Sequence, residues 1–249
     1  MAMKLVDAEQ LEADLTSVAD SIRAKTGGED ALSFPSGFVD ALDTIESADS
    51  ALAELEYNLS NGYTDYDKYC YARTYMREVP MEIMKYIENA VSVSYMFYTC
   101  SSLVEIPSLT FLKEVQMAQC FYSCASLQKI GELITPKAVS FFCCFQNCTK
   151  LHTIEGIDLS SAKNVNNMFS YCSALENITF NGVIKISGLN LSPCTALTHD
   201  SLMSAINALY DWASEGGTST YTLTLGSTNL GKLTDAEKAI ATQKGWTLA

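Results

Sequence analysis

Residues 96–109 read MFYTCSSLVEIPSL, and residues 120–133 read CFYSCASLQKIGEL. The second stretch repeats the first at a distance of 24 residues, and the same spacing continues down the chain. Phe97, Phe121, Phe145 and Phe169 form one column; Cys100, Cys124, Cys148 and Cys172 form a second. Leu103, Leu127, Leu151 and Leu175 form a third, and Ile106, Ile130, Ile154 and Ile178 a fourth. A period of this length is the mark of an array in which each unit buries its apolar residues only against its neighbours. Less regular units belong at the ends of such an array, where one side has no neighbour. They are read at Cys194 and Leu197 on one side and at Met76, Val79 and Pro80 on the other.

A Leu-x-x-Ile pair in a unit of this size falls in the leucine-rich-repeat range, where a short strand alternates with a turn or helical segment. The strand is expected at Leu103 to Pro107 and its equivalents, with the Met96 and Phe97 stretch forming a turn or short helix on the opposite wall. The stretches MFYTCSSLVEIPSL and MFSYCSALENITF, the latter at residues 168–180, resemble the BspA-like leucine-rich repeats of bacterial surface proteins and of phages infecting Gram-positive gut bacteria. The fold class expected is α/β: a leucine-rich-repeat solenoid with 24-residue repeats over residues 61–197, a short amino-terminal helical module over 1–60 and a carboxy-terminal helix-strand-helix cap over 198–249.

The cysteine column admits three readings. Stacked units lie about 4.8 Å apart, wider than the Cβ separation a disulfide prefers. Cys120-x-x-x-Cys124 and Cys144-x-x-x-Cys148 share the outline of a four-thiolate zinc site, but Met96 and Met168 fill the slots of Cys120 and Cys144 in the flanking units, which marks that slot as apolar. Packing as a small hydrophobe is the favoured reading, with no metal and no cofactor expected. Cys70 and Cys143 fall outside the columns.

At the amino terminus, Leu11, Leu15, Val18 and Ile22 follow one helical face, and the glycines of KTGGED end it. A second amphipathic segment starts at Pro35 and carries Phe38, Val39, Leu42 and Ile45, with Leu52, Leu55 and Leu59 prolonging it. The stretch LTSVADSIRAKTGGEDALSFPSGFVDAL, residues 15–42, is similar to an amino-terminal module of phage virion and tail-associated proteins. Capping of the array, docking to other virion proteins and self-association all remain open for it. A trimer is the form that fibre-like proteins often take. At the other end HDSLMSAINALYDWASEGG reads as a helix, TYTLTLG as a strand and TDAEKAIATQKGW as a helix with Thr234 and Glu237 at capping-box spacing.

The net charge of -13 comes mainly from residues 1–60, with 13 acidic and 3 basic residues, whereas residues 90–197 hold six of each. That balance argues against nucleic acid and anionic membranes as partners. No signal-peptide pattern opens the chain and no apolar run is long enough to span a bilayer, so no membrane insertion is expected and the nine cysteines read as reduced thiols. No nucleophile elbow, phosphate-cradling loop or His-Glu-x-x-His motif occurs. Asp65 and Asp67 read as a solvated turn, and of the two histidines His152 sits in a variable outward slot while His199 precedes Asp200 at a helix start.

No enzyme is expected. What remains is a candidate binding surface: Tyr98, Tyr122 and, one place on, Tyr171, together with Glu105, Lys129, His152 and Glu176 on the strand side. Tyrosine suits contact because it offers area with little rotamer entropy lost, yet the same rings would also pack beside the ladders. The resemblance implies a non-enzymatic phage virion protein of the tail, baseplate or fibre, assembled in the host cytoplasm and contacting a host-surface protein or glycan. The alternative is a bacterial surface adhesin or binding protein of the same repeat family.

Overall fold

The computed structural model describes residues 89–216 and 221–249, together with Cys70, Met76, Arg77, Val79 and Ile87. The amino-terminal helical segments, Asp65, Asp67 and Pro80 lie outside the described residues. The repeat region carries β1 Glu105–Ile106, β2 Leu109–Thr110, β3 Val115–Gln116, β4 Lys129–Ile134, β5 Ala138–Ser140, β6 Thr153–Ile157 and β7 Asn177–Phe180.

All pairings among these strands are parallel. One sheet runs β1-β4-β6-β7 with β2 also on β4; β3 and β5 form a second. Glu105 pairs with Lys129, Lys129 with Thr153 and Thr153 with Asn177, each step covering 24 residues. The isoleucines beside them pair in the same register, Ile106 with Ile130, Ile154 and Ile178, and all four are buried. Alternation along a strand sends the neighbouring residue outward, which is why Glu105 is exposed next to Ile106.

The strands start two residues later than the leucine column suggests. Leu103, Leu127, Leu151 and Leu175 each donate their N–H to the carbonyl of the column cysteine three residues earlier, at 3.1, 3.0, 3.1 and 3.2 Å. The leucine therefore closes a turn, and the strand begins only after it. His152 and Glu176, expected on strands, lie just ahead of β6 and β7 for the same reason.

The phenylalanine segment forms turns rather than a helix, and its backbone alternates. Tyr95, Phe97 and Thr99 donate their N–H groups to Ala118, Cys120 and Tyr122 of the next unit, at 2.9, 2.8 and 2.8 Å. Met96, Tyr98 and Cys100 donate backwards to Val93, Tyr95 and Phe97 within their own unit. Residues 119–124 and 143–148 repeat this alternation.

The geometry needs a left-handed residue twice per unit. Tyr95, Gln119, Cys143 and Asn167 have φ between 52° and 59° or close to it, and Thr99, Ser123, Asn147 and Tyr171 have φ of 55°, 56°, 66° and 65°. None is glycine, although a side chain costs about 1–2 kcal/mol in this region. Replacing Thr99, whose β-branch fits it worst, by asparagine is expected to raise stability by about 0.5–1 kcal/mol, and Ser123→Val to lower it by about 1 kcal/mol. Urea unfolding midpoints check both.

Inside, the rings of Phe97, Phe121, Phe145 and Phe169 stack face to face, with successive centroids 5.3, 5.5 and 5.5 Å apart. Beside them the column cysteines are fully buried. The thiols of Cys124, Cys148 and Cys172 donate to the carbonyls of Phe97, Phe121 and Phe145 in the preceding unit, at 3.0, 3.0 and 2.9 Å. Cysteine here is a small hydrophobe that also gives a second hydrogen bond to a carbonyl already held by a backbone N–H, which alanine cannot do.

The carboxy-terminal part comprises α1 His199–Ala208, β9 Tyr221–Thr224, α2 Gly226–Leu230, α3 Asp235–Gln243 and β10 Trp246–Leu248, and β9 pairs with both β10 and β8 Leu189–Asn190. It is richer than the helix, strand and helix expected, and its sheet reaches back across residue 198 into the repeat region. The first helix stops at Ala208, well short of Gly216, because Leu209 bridges in parallel to Ile184. The capping box of Thr234 and Glu237 forms as its spacing predicts.

Side chains here bond the backbone of the repeat region. Ser201 and Ser204 of α1 accept the N–H groups of Ile178 and Phe180, at 3.0 and 2.9 Å, along the open edge of β7. Buried Asn229 donates to the carbonyls of Leu191 and Cys194, at 3.1 and 3.2 Å, and Lys232 to those of Thr195 and Leu197. Asn229→Leu removes one of two donors from each of these carbonyls, which keep the N–H groups of Cys194 and Leu197, and is expected to cost about 1–2 kcal/mol, read from thermal and urea unfolding.

Candidate functional site

Two groups of the expected contact residues are brought together. The rings of Tyr98 and Tyr122, half-buried on the turn side, stack with centroids 4.8 Å apart and planes within 5° of parallel. Tyr95 adds a third ring 5.8 Å from Tyr98. Their shared position is dictated by the hydrogen-bonded register of the turns, which places residues 24 apart side by side.

On the strand side Lys129 stands between two carboxylates, 2.7 Å from Glu155 and 3.8 Å from Glu105. Glu155 is a partner that the sequence reading missed. Its signal was the strand alternation itself, which turns Thr153 and Glu155 to the same face. A second contact crosses this face: Asn181 donates its amide to Glu132 at 2.7 Å. These residues lie two units apart and meet only because Gly156 stands between them; a Cβ there would collide with the Asn181 amide.

The remaining expected residues stand separately. Tyr171 is 68% exposed and belongs to the left-handed column of Thr99, Ser123 and Asn147, so it is not a third member of the Tyr98 and Tyr122 ladder. His152 and Glu176 are exposed, and their backbones carry the ladder, His152 N–H to Gln128 and Glu176 N–H to His152, both at 2.9 Å.

His199 sits at the start of α1 and bonds Glu237 of α3 at 2.8 Å. This hydrogen bond, with Asp200 adding to it, holds the imidazole above the ordinary histidine value of 6.5. Because the folded value is raised, the contact contributes below the unfolded value and is lost as pH rises through the folded one. An NMR titration is expected to place His199 above 6.5, and Glu237→Gln to bring it back down.

The nine cysteines are all buried, and none is in a disulfide. Desolvation pushes Cys120, Cys124, Cys144, Cys148 and Cys194 well up, and Cys172 up to about 12, so these are neutral thiols at pH 7 and poor nucleophiles. Among the described residues no three His, Cys, Asp or Glu side chains converge as a metal site would require. An open pocket of about 380 Å³ lies on the β3 and β5 side, lined by Glu114, Lys137, Ser160 and Lys163, away from every expected contact residue. No described helix is long and apolar enough to cross a membrane.

Both faces carry charge of both signs, Lys129 among the strand carboxylates and Glu114 among the lysines beside β3 and β5. Glu105, Glu132 and Glu155 lie in strands, with Asp158 and Glu176 at strand ends, whereas Lys113, Lys137 and Lys163 lie beside β3 and β5. The stacked phenylalanines, parallel registers and turn ladders define a leucine-rich-repeat fold with mixed helix and strand. The chain matches the family described as BspA type leucine-rich repeat region, 6 copies, over residues 64–155 and 93–220. These spans take in more than half of the chain, which belongs to that family. No curated protein and no solved structure matches it.

Proposed function

We propose that the chain is a non-enzymatic binding protein, a solenoid of 24-residue repeats closed at its carboxy-terminal end by the segment from His199 onward, which contacts a protein or glycan at a cell surface. The observation that carries this reading is the lateral alignment of outward side chains between units: Tyr98 on Tyr122, and Glu105 beside Lys129 and Glu155. Repeat arrays bind through such extended surfaces. The serines, Asn229 and Lys232 that bond the backbone of the repeat region support the closed end. Binding of the purified chain to whole cells, with Tyr98→Ala and Tyr122→Ala combined, tests it. Weakened binding by a variant that still unfolds cooperatively is expected; unchanged binding would remove the tyrosine pair from the surface.

A place in a bacteriophage particle, attached through residues 1–60, is the finer reading. The similarity of residues 15–42 to virion modules supports it. Mass spectrometry of purified particles decides it: presence at a fixed copy number establishes a virion protein, and absence moves the chain to the bacterial surface reading.

A further inference from the structure

The turn side differs from the rest of the molecule in one respect, its lack of charge. Residues 93–102, 117–126, 141–150 and 165–174 make up this side in four units, and of these forty residues only Lys150 is charged. At the chain average of 18% charged residues, about seven would be expected. Its solvent-facing positions are filled instead by Ser, Thr, Asn, Gln and Tyr, with Tyr171 and Phe142 as exposed rings. All eight non-glycine residues with left-handed φ among the described residues lie here too, so the side chains stand on a backbone held by inter-unit hydrogen bonds.

We propose that this turn side binds an uncharged, hydroxyl-rich glycan, a partner chemistry that rests on the binding role proposed above. Hydroxyls and carboxamides both donate and accept, which matches the hydroxyls of a sugar, and exposed rings offer flat faces to its C–H groups. A face without charges avoids the large cost of stripping water from an ion, so it can be desolvated against a neutral polar partner. Rings of successive units repeat at 4.8 Å for Tyr98 and Tyr122 and at 5.3 to 5.5 Å in the phenylalanine column, close to the rise of one pyranose in an extended chain. Low charge and tyrosine also mark protein interface cores, but this face holds no Arg and exposes only Phe142 and Tyr171 as large apolar groups, so a protein partner is the competing outcome of the test. An acidic glycan finds only Lys150 for its charges.

The test is binding of the full chain to an array of uncharged glucan, mannan and galactan oligosaccharides printed beside sialylated and sulfated ones, at low and at high salt. Retention on uncharged sugars that changes little with salt is expected, because no ion pair is formed. Tyr171→Asn, which keeps a residue tolerant of left-handed φ, and Phe142→Ser should each weaken it about tenfold, while Lys113→Ser, at an exposed position beside β3, leaves it unchanged. Circular dichroism confirms that each variant is folded. Binding confined to charged glycans and lost in salt overturns the inference, as does binding to uncharged glycans that ignores both turn-side variants. Retention of a surface protein instead of any glycan, abolished by Glu105→Lys, overturns the glycan while leaving the binding role standing. Failure to bind glycans, proteins or cells defeats both.

Discussion

Raising the pH from 7 to about 9.5 is expected to destabilise the protein by several kcal/mol. Burial is the first cause that raises the thiols of Cys120, Cys124, Cys144, Cys148, Cys172 and Cys194, with neighbouring thiols adding to most of them. A raised folded value means that stability is intact below the unfolded thiol value of about 8.5 and is lost as pH climbs toward the folded one. Across that window the unfolded chain releases protons that the folded chain retains. At about pH 9.5 each such thiol favours the unfolded state by about 1 kcal/mol, and six together remove a large part of the stability of an ordinary domain.

Circular dichroism in a pH series under reducing conditions measures the transition, with alkylation rates as the companion readout. At pH 7 the column thiols should resist alkylation until the chain unfolds. A folded spectrum at about pH 10.5 together with rapid alkylation of the column thiols would show that they ionise in place, and would contradict their burial; a folded spectrum with unreactive thiols would show that the stability exceeds the loss. Cys148→Ala should make the alkaline transition shallower while lowering stability at pH 7, since it removes one titrating group together with its bond to Phe121.

The thiol column also shows why some of this structure is legible in the sequence and some is not. Phe, Cys, Leu and Ile recur because each fills an interior slot whose shape repeats from unit to unit, so burial writes the period directly into the chain. The left-handed positions leave no such trace. Glycine would have marked them, but they hold Tyr, Gln, Cys and Asn in one column and Thr, Ser, Asn and Tyr in the other, stabilised by bonds to the next unit. The strand onset was hidden for a related reason: Leu103 looks like the first residue of a strand from its burial, yet its N–H is spent on Cys100. In α1 the apolar positions Leu202, Ile206 and Leu209 continue a helical pattern, and only the bridge of Leu209 to Ile184 ends it. The residues expected as contacts could be picked out by type, but their grouping was not legible. Tyr98 and Tyr122 share a ladder, whereas Tyr171 belongs to another, because one residue of offset moves a side chain into a different column.

Phe145→Ala is expected to cost about 3–5 kcal/mol, among the largest penalties for a single core substitution. Phe145 is 0% exposed, and its ring lies between those of Phe121 and Phe169 with both centroids 5.5 Å away, so truncation opens a cavity with aromatic walls above and below. Phe169 has one neighbour in the ring column, and Phe169→Ala should cost less by about the value of one aromatic pair, 0.5–1.5 kcal/mol. Phe145→Leu keeps most of the volume and should cost about 1–2 kcal/mol. Urea denaturation reads all three, and equal losses for Phe145→Ala and Phe169→Ala would show that the column contributes burial without stacking. The consequence reaches the surface, because the ring stands directly beneath the turns whose N–H groups bind the next unit. Loosening it relaxes the spacing between the turn-side columns, so Phe145→Ala should weaken ligand binding at temperatures where the variant is still folded, through lost preorganisation and without any lost contact.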